Sequence, residues 1–270
     1  MTRLKIVKSA VAKIYLIKIV NRLRPVWNIL FWNFIPTKLT AKILALFPSL
    51  TLNKELPAAQ FLDNMTLYLN PIYLKERDIL LSRHDQIPFA VIDQFVKKDS
   101  SCLDIGASIG TSSLALARKT GPGGRVYSCE PSPEIFTRLK KNIEANPSTR
   151  EIIRLFKMDL AGGIPMTIDQ FLESQNAGSL DFLEINAQGM EYETIVGGLK
   201  SIKKYRPILF YTSFKEWERC RGRRVNLLIE NLLKDTGYSF YKTNRDGCLQ
   251  ETSYPDLSDY TLAMGNTKVP

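Results

Sequence analysis

Acidic residues are missing from the first fifty positions of this 270-residue chain, which hold nine Lys or Arg and no Asp or Glu. The remainder balances 28 bases against 27 acids, so the formal charge of +10 belongs to the N-terminal arm. A near-neutral main domain argues against a basic nucleic-acid cleft, and no nucleic-acid partner is expected. The arm instead suits an anionic surface, with membrane lipid as the expected partner of residues 1–50. Histidine is nearly absent, His84 being the only one. The four cysteines (Cys102, Cys129, Cys220, Cys248) lie far apart and form no C-x-x-C pair. Neither a zinc centre nor a disulfide framework is expected from that set, and a reducing cytoplasm fits it. Long apolar runs are missing too. Lys13 and Lys18 interrupt what would be a signal-peptide core. The charge-free window Pro25 to Thr37 falls short of the roughly 20 helical residues that cross a bilayer. It does hold Trp27, Phe31, Trp32 and Phe34 between bases, as suits a segment lying in the membrane interface. A helical cap packed on the main domain is the competing reading of the arm.

What is present has a clear order. A helical arm over 1–56 precedes a domain over 57–270. After a short strand at Met65–Leu69 and helices to residue 98, apolar runs alternate with helical patterns. Strands are expected at Ser101–Ile105, Arg125–Glu130, Ile152–Met158, Leu180–Ile185 and Pro207–Thr212, then at Tyr238–Lys242 and Tyr260–Met264. Helices are expected over Thr111–Lys119, from Ser132 to Asn146, over Tyr192–Lys204 and over 224–235. Ser132-Pro133-Glu134 carries the start signals of its helix: a hydroxyl cap, proline in the first turn, then an acid. This alternation predicts an α/β fold with a doubly wound, mostly parallel sheet. The closing pair of strands, with no full helix between them, predicts an antiparallel last strand.

The sharpest motif is Cys102-Leu-Asp-Ile-Gly-Ala-Ser-Ile-Gly-Thr111. A strand ends near Asp104, a G-x-S-x-G turn follows, and a helix begins. Gly106 permits a tight turn, and Gly110 permits the helix to approach a ligand closely. Ligands of open parallel sheets bind at this carboxyl edge. Glu130, twenty residues past Gly110, ends the next strand, where a carboxylate can accept from both hydroxyls of a ribose. The dinucleotide fingerprint G-x-G-x-x-G is not met, because its second and third glycines are absent from the required places. A pyrophosphate needs that close approach and a free helix N-terminus. S-adenosylmethionine carries no phosphate and needs fewer glycines, so it is the expected cofactor.

Leu103–Gly110 and Glu130-Pro131, with the spacing between them, resemble class I S-adenosylmethionine-dependent methyltransferases. Thr167-Ile-Asp-Gln-Phe-Leu172, Asp181–Glu191, Val196-Gly-Gly-Leu199, Arg206-Pro207-Ile-Leu, and Met65–Leu69 leading into Asp85 narrow the resemblance to the FkbM family, over roughly residues 60–265. The resemblance implies a Rossmann-like fold and O-methylation of a hydroxyl on a sugar, glycan or other small molecule. It implies that Asp104, Gly106, Ala107, Ser108 and Gly110 hold the methionine part, that Glu130 takes the ribose, and that Asp159 and Leu160 flank the adenine.

The chain departs from the family at the fourth strand. The family's isoleucine-lysine-isoleucine-aspartate-x-glutamate-glycine is replaced by Leu183-Glu184-Ile185-Asn186-Ala187-Gln188-Gly189. Two acids have become amides, which hydrogen-bond but neither take a proton near neutrality nor hold a divalent cation tightly. Strand alternation puts Glu184 and Asn186 on one face, about 6.6 Å apart. Glu184 then replaces the displaced carboxylate, or the site has lost part of its chemistry, or Glu184 is paired with a base. Candidate catalytic residues are Glu184, Asn186, Gln188, Asp85 and His84, His84 for its titration range. The acceptor pocket is expected from the arm, residues 58–98 and the insert at 213–223, where Trp217 neighbours Arg219, Arg221, Arg223 and Arg224.

Overall fold

The computed structural model describes residues 56–62, 65–70, 73–80, 84–161, 165–213, 224–243, 248–253 and 260–265. The basic arm at 1–50 and the loop at 214–223 with Trp217 lie outside them. The chain divides into two compact units, Met1–His84 and Asp85–Pro270.

In the first unit, β1 (Leu56–Phe61) and β2 (Met65–Leu69) form an antiparallel hairpin, followed by helix α1 (Leu74–Leu80). The period-two pattern of β2 buries Met65, Leu67 and Leu69. No strand is expected from the sequence between Pro57 and Met65. The structure adds β1 there, with Pro57 opposite Tyr68. Proline fits a strand whose N–H side needs no partner.

The second unit begins with α2 (Ile87–Phe95), β3 (Ser101–Ile105), α3 (Thr111–Thr120), β4 (Arg125–Cys129), α4 (Pro133–Glu144), α5 (Pro147–Arg150) and β5 (Ile153–Phe156). It continues with α6 (Ile168–Ser174), β6 (Phe182–Ile185), α7 (Glu191–Val196), α8 (Leu199–Tyr205) and β7 (Ile208–Thr212). It closes with α9 (Val225–Lys234), β8 (Tyr238–Thr243), β9 (Leu249–Thr252) and β10 (Tyr260–Gly265). Eight strands form one sheet in the order β5-β4-β3-β6-β7-β10-β8-β9. The first five in that order run parallel. β10 is antiparallel to both β7 and β8, as the missing crossover helix predicts. The fold is therefore the doubly wound, mostly parallel α/β sheet expected from the alternation.

Local chemistry explains most element boundaries. Ser132 caps α4 by accepting from the Ile135 amide, with Pro133 in the first turn. Thr167 and Gln170 form a reciprocal capping box at the start of α6. The single helix expected over Tyr192–Lys204 is instead two, broken at Gly197-Gly198. A Cβ at Gly198 would come within 3.0 Å of Ile168, so the glycine pair admits α6. Asp169 completes the break by accepting from the amides of Lys200 and Ser201 at the head of α8. The edge strand β9 was also not anticipated. Its sequence Leu249-Gln-Glu-Thr252 has little apolar signal, and burial is slight, as suits a sheet margin.

The two faces of the sheet differ in chemistry. Leu103, Ile105, Tyr127, Leu183, Ile185, Leu209 and Tyr211 join Phe171, Ile195, Ile202 and Ile229 of the helices in one apolar core. Alternate residues turn to the opposite face, where α3 lies, and there the strands carry Asp104, Ser128 and Glu184.

Candidate cofactor site

The parallel direction of β3, β4 and β6 brings their carboxyl ends to one edge of the sheet. The glycine turn leaves β3 there and is fixed from several sides. Gly106 and Ala107 both donate their amides to the Cys129 carbonyl on β4. Ser108 donates its amide to Oε2 of Glu130 at 3.0 Å, and Ser132 donates its amide to Oε1 at 2.9 Å. Glu130 thus joins the turn after β3 to the start of α4, using both oxygens and being only 5% exposed. Asn142 of α4, fully buried, donates its side-chain amide to the Ile109 carbonyl at 2.8 Å. Sequence reasoning missed Asn142. Its signal was a polar residue between Leu139 and Ile143 on the buried face of α4.

The glycines serve packing as well as turning. Gly106, at φ +79°, leaves room where a Cβ would strike the carbonyl oxygen of Asn186. Gly110, at φ +97°, leaves room for Leu139, which a Cβ would meet at 2.8 Å. Gly110 therefore lets α4 pack close to the turn. Ser108 itself sits at φ +51° and is exposed.

Beneath the turn lies a polar network under the first turn of α3. Ser128 donates its hydroxyl to Ser113 at 2.9 Å, and Ser113 donates to Oδ2 of Asp104 at 2.6 Å. Ser112 donates to Oε1 of Glu184 at 2.8 Å. Asp104 and Glu184 are register partners on β3 and β6. In-register residues of parallel neighbours share a face, so the two carboxyls are adjacent. Burial pushes the Asp104 carboxyl up to about 7; the Ser113 hydroxyl opposes this and the Glu130 charge adds to it. Burial raises Glu184 well above the usual carboxylate range, with Asp104 adding to the rise and Ser112 opposing it. Oε2 of Glu184 is enclosed and meets no donor. Sequence reasoning did not single out Ser112, Ser113 or Ser128, because hydroxyls in a helix start or strand carry no signal of their own.

The remaining predicted residues have these places. Asn186 follows β6 and is half-buried; its amide donates to the Ile105 carbonyl at 2.9 Å. Gln188 is exposed at φ +51°. Oδ1 of Asp159 accepts from the Ala161 amide at 2.8 Å, and Leu160 is buried within the apolar core. Asp85 is exposed and accepts from the Ile87 amide just before α2, an Asx turn. His84 belongs to the other unit. Of the expected catalytic set, Glu184 and Asn186 are joined to the glycine turn or the network beneath it. Among the described residues no Lys or Arg pairs with Glu184. Among the described residues no three His, Cys, Asp or Glu gather as metal ligands.

No curated protein matches the chain closely enough to be reported as a relative. Among solved structures, an FkbM methyltransferase from Methylobacillus flagellatus is 18% identical, with a TM-score of 0.48 over 72% of this chain and 53% of that one. The chain thus spans about half the length of that protein. An O-methyltransferase from Bacillus cereus, solved with SAH, is 16% identical, with a TM-score of 0.49 over 90% and 96% of the two chains. Fibrillarin from Aeropyrum pernix, solved with S-adenosyl-L-methionine, is 15% identical, with a TM-score of 0.43 over 66% and 76%. Residues 165–240, which span α6 to β8 and include the altered fourth-strand motif, match the methyltransferase FkbM domain, the family that the sequence motifs resemble.

Proposed function

We propose that the chain binds S-adenosylmethionine at the β3 turn and transfers its methyl group to a hydroxyl of a sugar, glycan or small metabolite. The observation that carries this reading is the charge of the site. Asp104, Glu130 and Glu184 are all buried at the carboxyl edge around the start of α3. A pyrophosphate placed at that helix start would face three acids, whereas a phosphate-free cation is favoured there. The residues present fit such a group. Glu130 is a rigidly held acceptor, and the turn is closed by Asn142 and the Cys129 carbonyl before any ligand arrives.

When bound, S-adenosylmethionine supplies a methyl group on a positively charged sulfur. The chain's own residues then hold and orient. Glu130 would take the ribose, Asp104, Gly106, Ala107, Ser108 and Gly110 would hold the methionine part, and Asp159 with Leu160 would flank the adenine. Positioning of acceptor and donor supplies most of the rate gain in such a site. Labelled methyl transfer to a panel of hydroxyl acceptors tests this. Transfer to at least one acceptor, lost in Glu130→Ala, is expected.

A second reading is favoured by one observation: Oε1 of Glu184 is held by Ser112 and Oε2 is enclosed, so this carboxyl is not open to an acceptor. On that reading the chain binds the cofactor without passing on its methyl group. Binding with no transfer to any acceptor supports it. We further propose that the basic arm at 1–50 meets anionic lipid. Sedimentation with phosphatidylserine vesicles but not with neutral ones is the expected result. Among the described residues no helix is long and apolar enough to cross a membrane.

A further inference from the structure

Glu184 raises a question that cofactor binding alone does not answer. Two carboxyls stand side by side on β3 and β6, and each receives one hydroxyl, Ser113 to Asp104 and Ser112 to Glu184. Glu184 is only 8% exposed, and its second oxygen meets no donor. Among the described residues no Lys, Arg or His pairs with either acid. The elements around them contribute no positive side chain either. α3 offers Ser112 and Ser113, β4 offers Ser128, and β7 offers Phe210 as the register partner of Glu184. Arg118 of α3 is engaged with Asp93 of α2 at 2.6 Å, six residues down the helix from Ser112. The other nearby titratable groups are Glu130, Asp181 and the Cys102 and Cys129 thiols, and none brings positive charge. Two adjacent buried acids with no counter-charge cannot both ionise cheaply. One proton between them removes the repulsion and gives the enclosed oxygen a hydrogen to share.

We propose that Asp104 and Glu184 share one proton while the site is empty and release it when a cationic cofactor binds, so that Glu184 makes the site discriminate a sulfonium from the uncharged thioether left after transfer. This rests on the reading that S-adenosylmethionine binds at the β3 turn. S-adenosylmethionine carries one more positive charge than S-adenosylhomocysteine, and the two are otherwise nearly alike in shape. That extra charge, close to the foot of the turn, offsets the second ionised carboxyl. The expelled proton passes to solvent, and no covalent bond changes. Loss of the positive charge at transfer restores the conditions in which the pair holds a proton, which weakens retention of the product. The family's lysine at position 184 would pair with Asp104 directly, so this proton-linked discrimination follows from the glutamate of this chain.

The test is calorimetric titration of the full chain and of Glu184→Gln with both ligands at pH 6 and pH 8, in two buffers of different ionisation enthalpy. For the unaltered chain at pH 7, S-adenosylmethionine should release up to one proton, and S-adenosylhomocysteine much less. The affinity ratio of the two should rise about three- to tenfold from pH 6 to pH 8, a shift of up to one pKa unit. In Glu184→Gln the new amide donates to an ionised Asp104, so both the proton release and the pH dependence of the ratio should vanish. A pH-independent ratio in the unaltered chain overturns the proposal, even if the variant does not fold. Equal proton release from both ligands overturns it as well. Absence of binding by either ligand instead refutes the cofactor reading on which it rests.

Discussion

The two turns at the carboxyl edge of the sheet, one after β3 and one after β6, are built differently. The β3 turn is closed before it meets any ligand. Its amides reach the Cys129 carbonyl and Glu130, its Ile109 carbonyl takes the Asn142 amide, and both its glycines admit a neighbouring element. The β6 turn is held mostly by bonds within its own segment. Asn186 is tied by its backbone to Ile105, Gln188 is exposed, and Gly189 donates its amide to Glu191 at 3.0 Å. The half expected to hold the cofactor is preorganised by backbone contacts. The half expected to perform chemistry has lost two acids and buried a third. On the proposed function, binding and transfer are separable, and substitutions in the two turns should separate them.

The largest effect is expected at Gly106. Gly106→Ala adds a Cβ against the Asn186 carbonyl at a positive φ, so cofactor binding should be lost and thermal stability should fall by about 2–4 kcal/mol. Gly121 is the matched control. It has a similar φ of +71°, but nothing lies within 4 Å of its Cβ position, so Gly121→Ala should cost the backbone strain alone, about 1–3 kcal/mol. Similar losses at both glycines would show that strain alone, and not the fit of the two turns, sets the cost.

Glu130→Ala comes next. It leaves the Ser108 and Ser132 amides without their acceptor and should weaken cofactor binding by about 10²-fold, roughly 3 kcal/mol, read by calorimetry. Asn142→Leu, which has a similar volume, removes one buried hydrogen bond to the turn and should weaken binding about tenfold, with a stability loss of about 1–3 kcal/mol. Unchanged binding in Asn142→Leu would mean that the turn does not depend on α4.

The pH dependence of stability probes the ground between the turns. Both Asp104 and Glu184 are raised above their unfolded values, Asp104 to about 7. The native state therefore holds more protons than the unfolded chain between about pH 4 and the raised values. The contribution of the pair is full below about pH 4; the Asp104 part is lost as pH rises through about 7, and the Glu184 part as pH rises through its own raised value. Chemical denaturation should show that loss, and Glu184→Gln should flatten it. The smallest effect is expected at Gln188, exposed and already at positive φ. Gln188→Ala should change stability by less than about 0.5 kcal/mol. Any fall in transfer without a fall in binding would then place chemistry in the β6 turn.

Much of the fold could be read from residues 101–212, because short apolar strands there are bounded by glycine, proline and capping residues. The G-x-S-x-G turn and Glu130 emerged together for the same reason, since turn chemistry and strand ends are local. The break at Gly197-Gly198 was not legible. Its cause is Ile168, some thirty residues away, and the glycines alone look like ordinary helix interruptions. The environment of Glu184 was only half legible. Alternation assigns its face, but not that Ser112 takes one oxygen or that the other is sealed. Asn142 and the serine network depend on which helix covers which strand, information that no single segment carries.

The central claim is that the β3 turn and Glu130 form a site for a phosphate-free cation. Calorimetric titration of the full chain with S-adenosylmethionine and, separately, with NAD tests it most directly. The account predicts one S-adenosylmethionine bound per chain, weakened by Glu130→Ala, and no heat of binding with NAD. Binding of NAD, or no binding of S-adenosylmethionine, would contradict it.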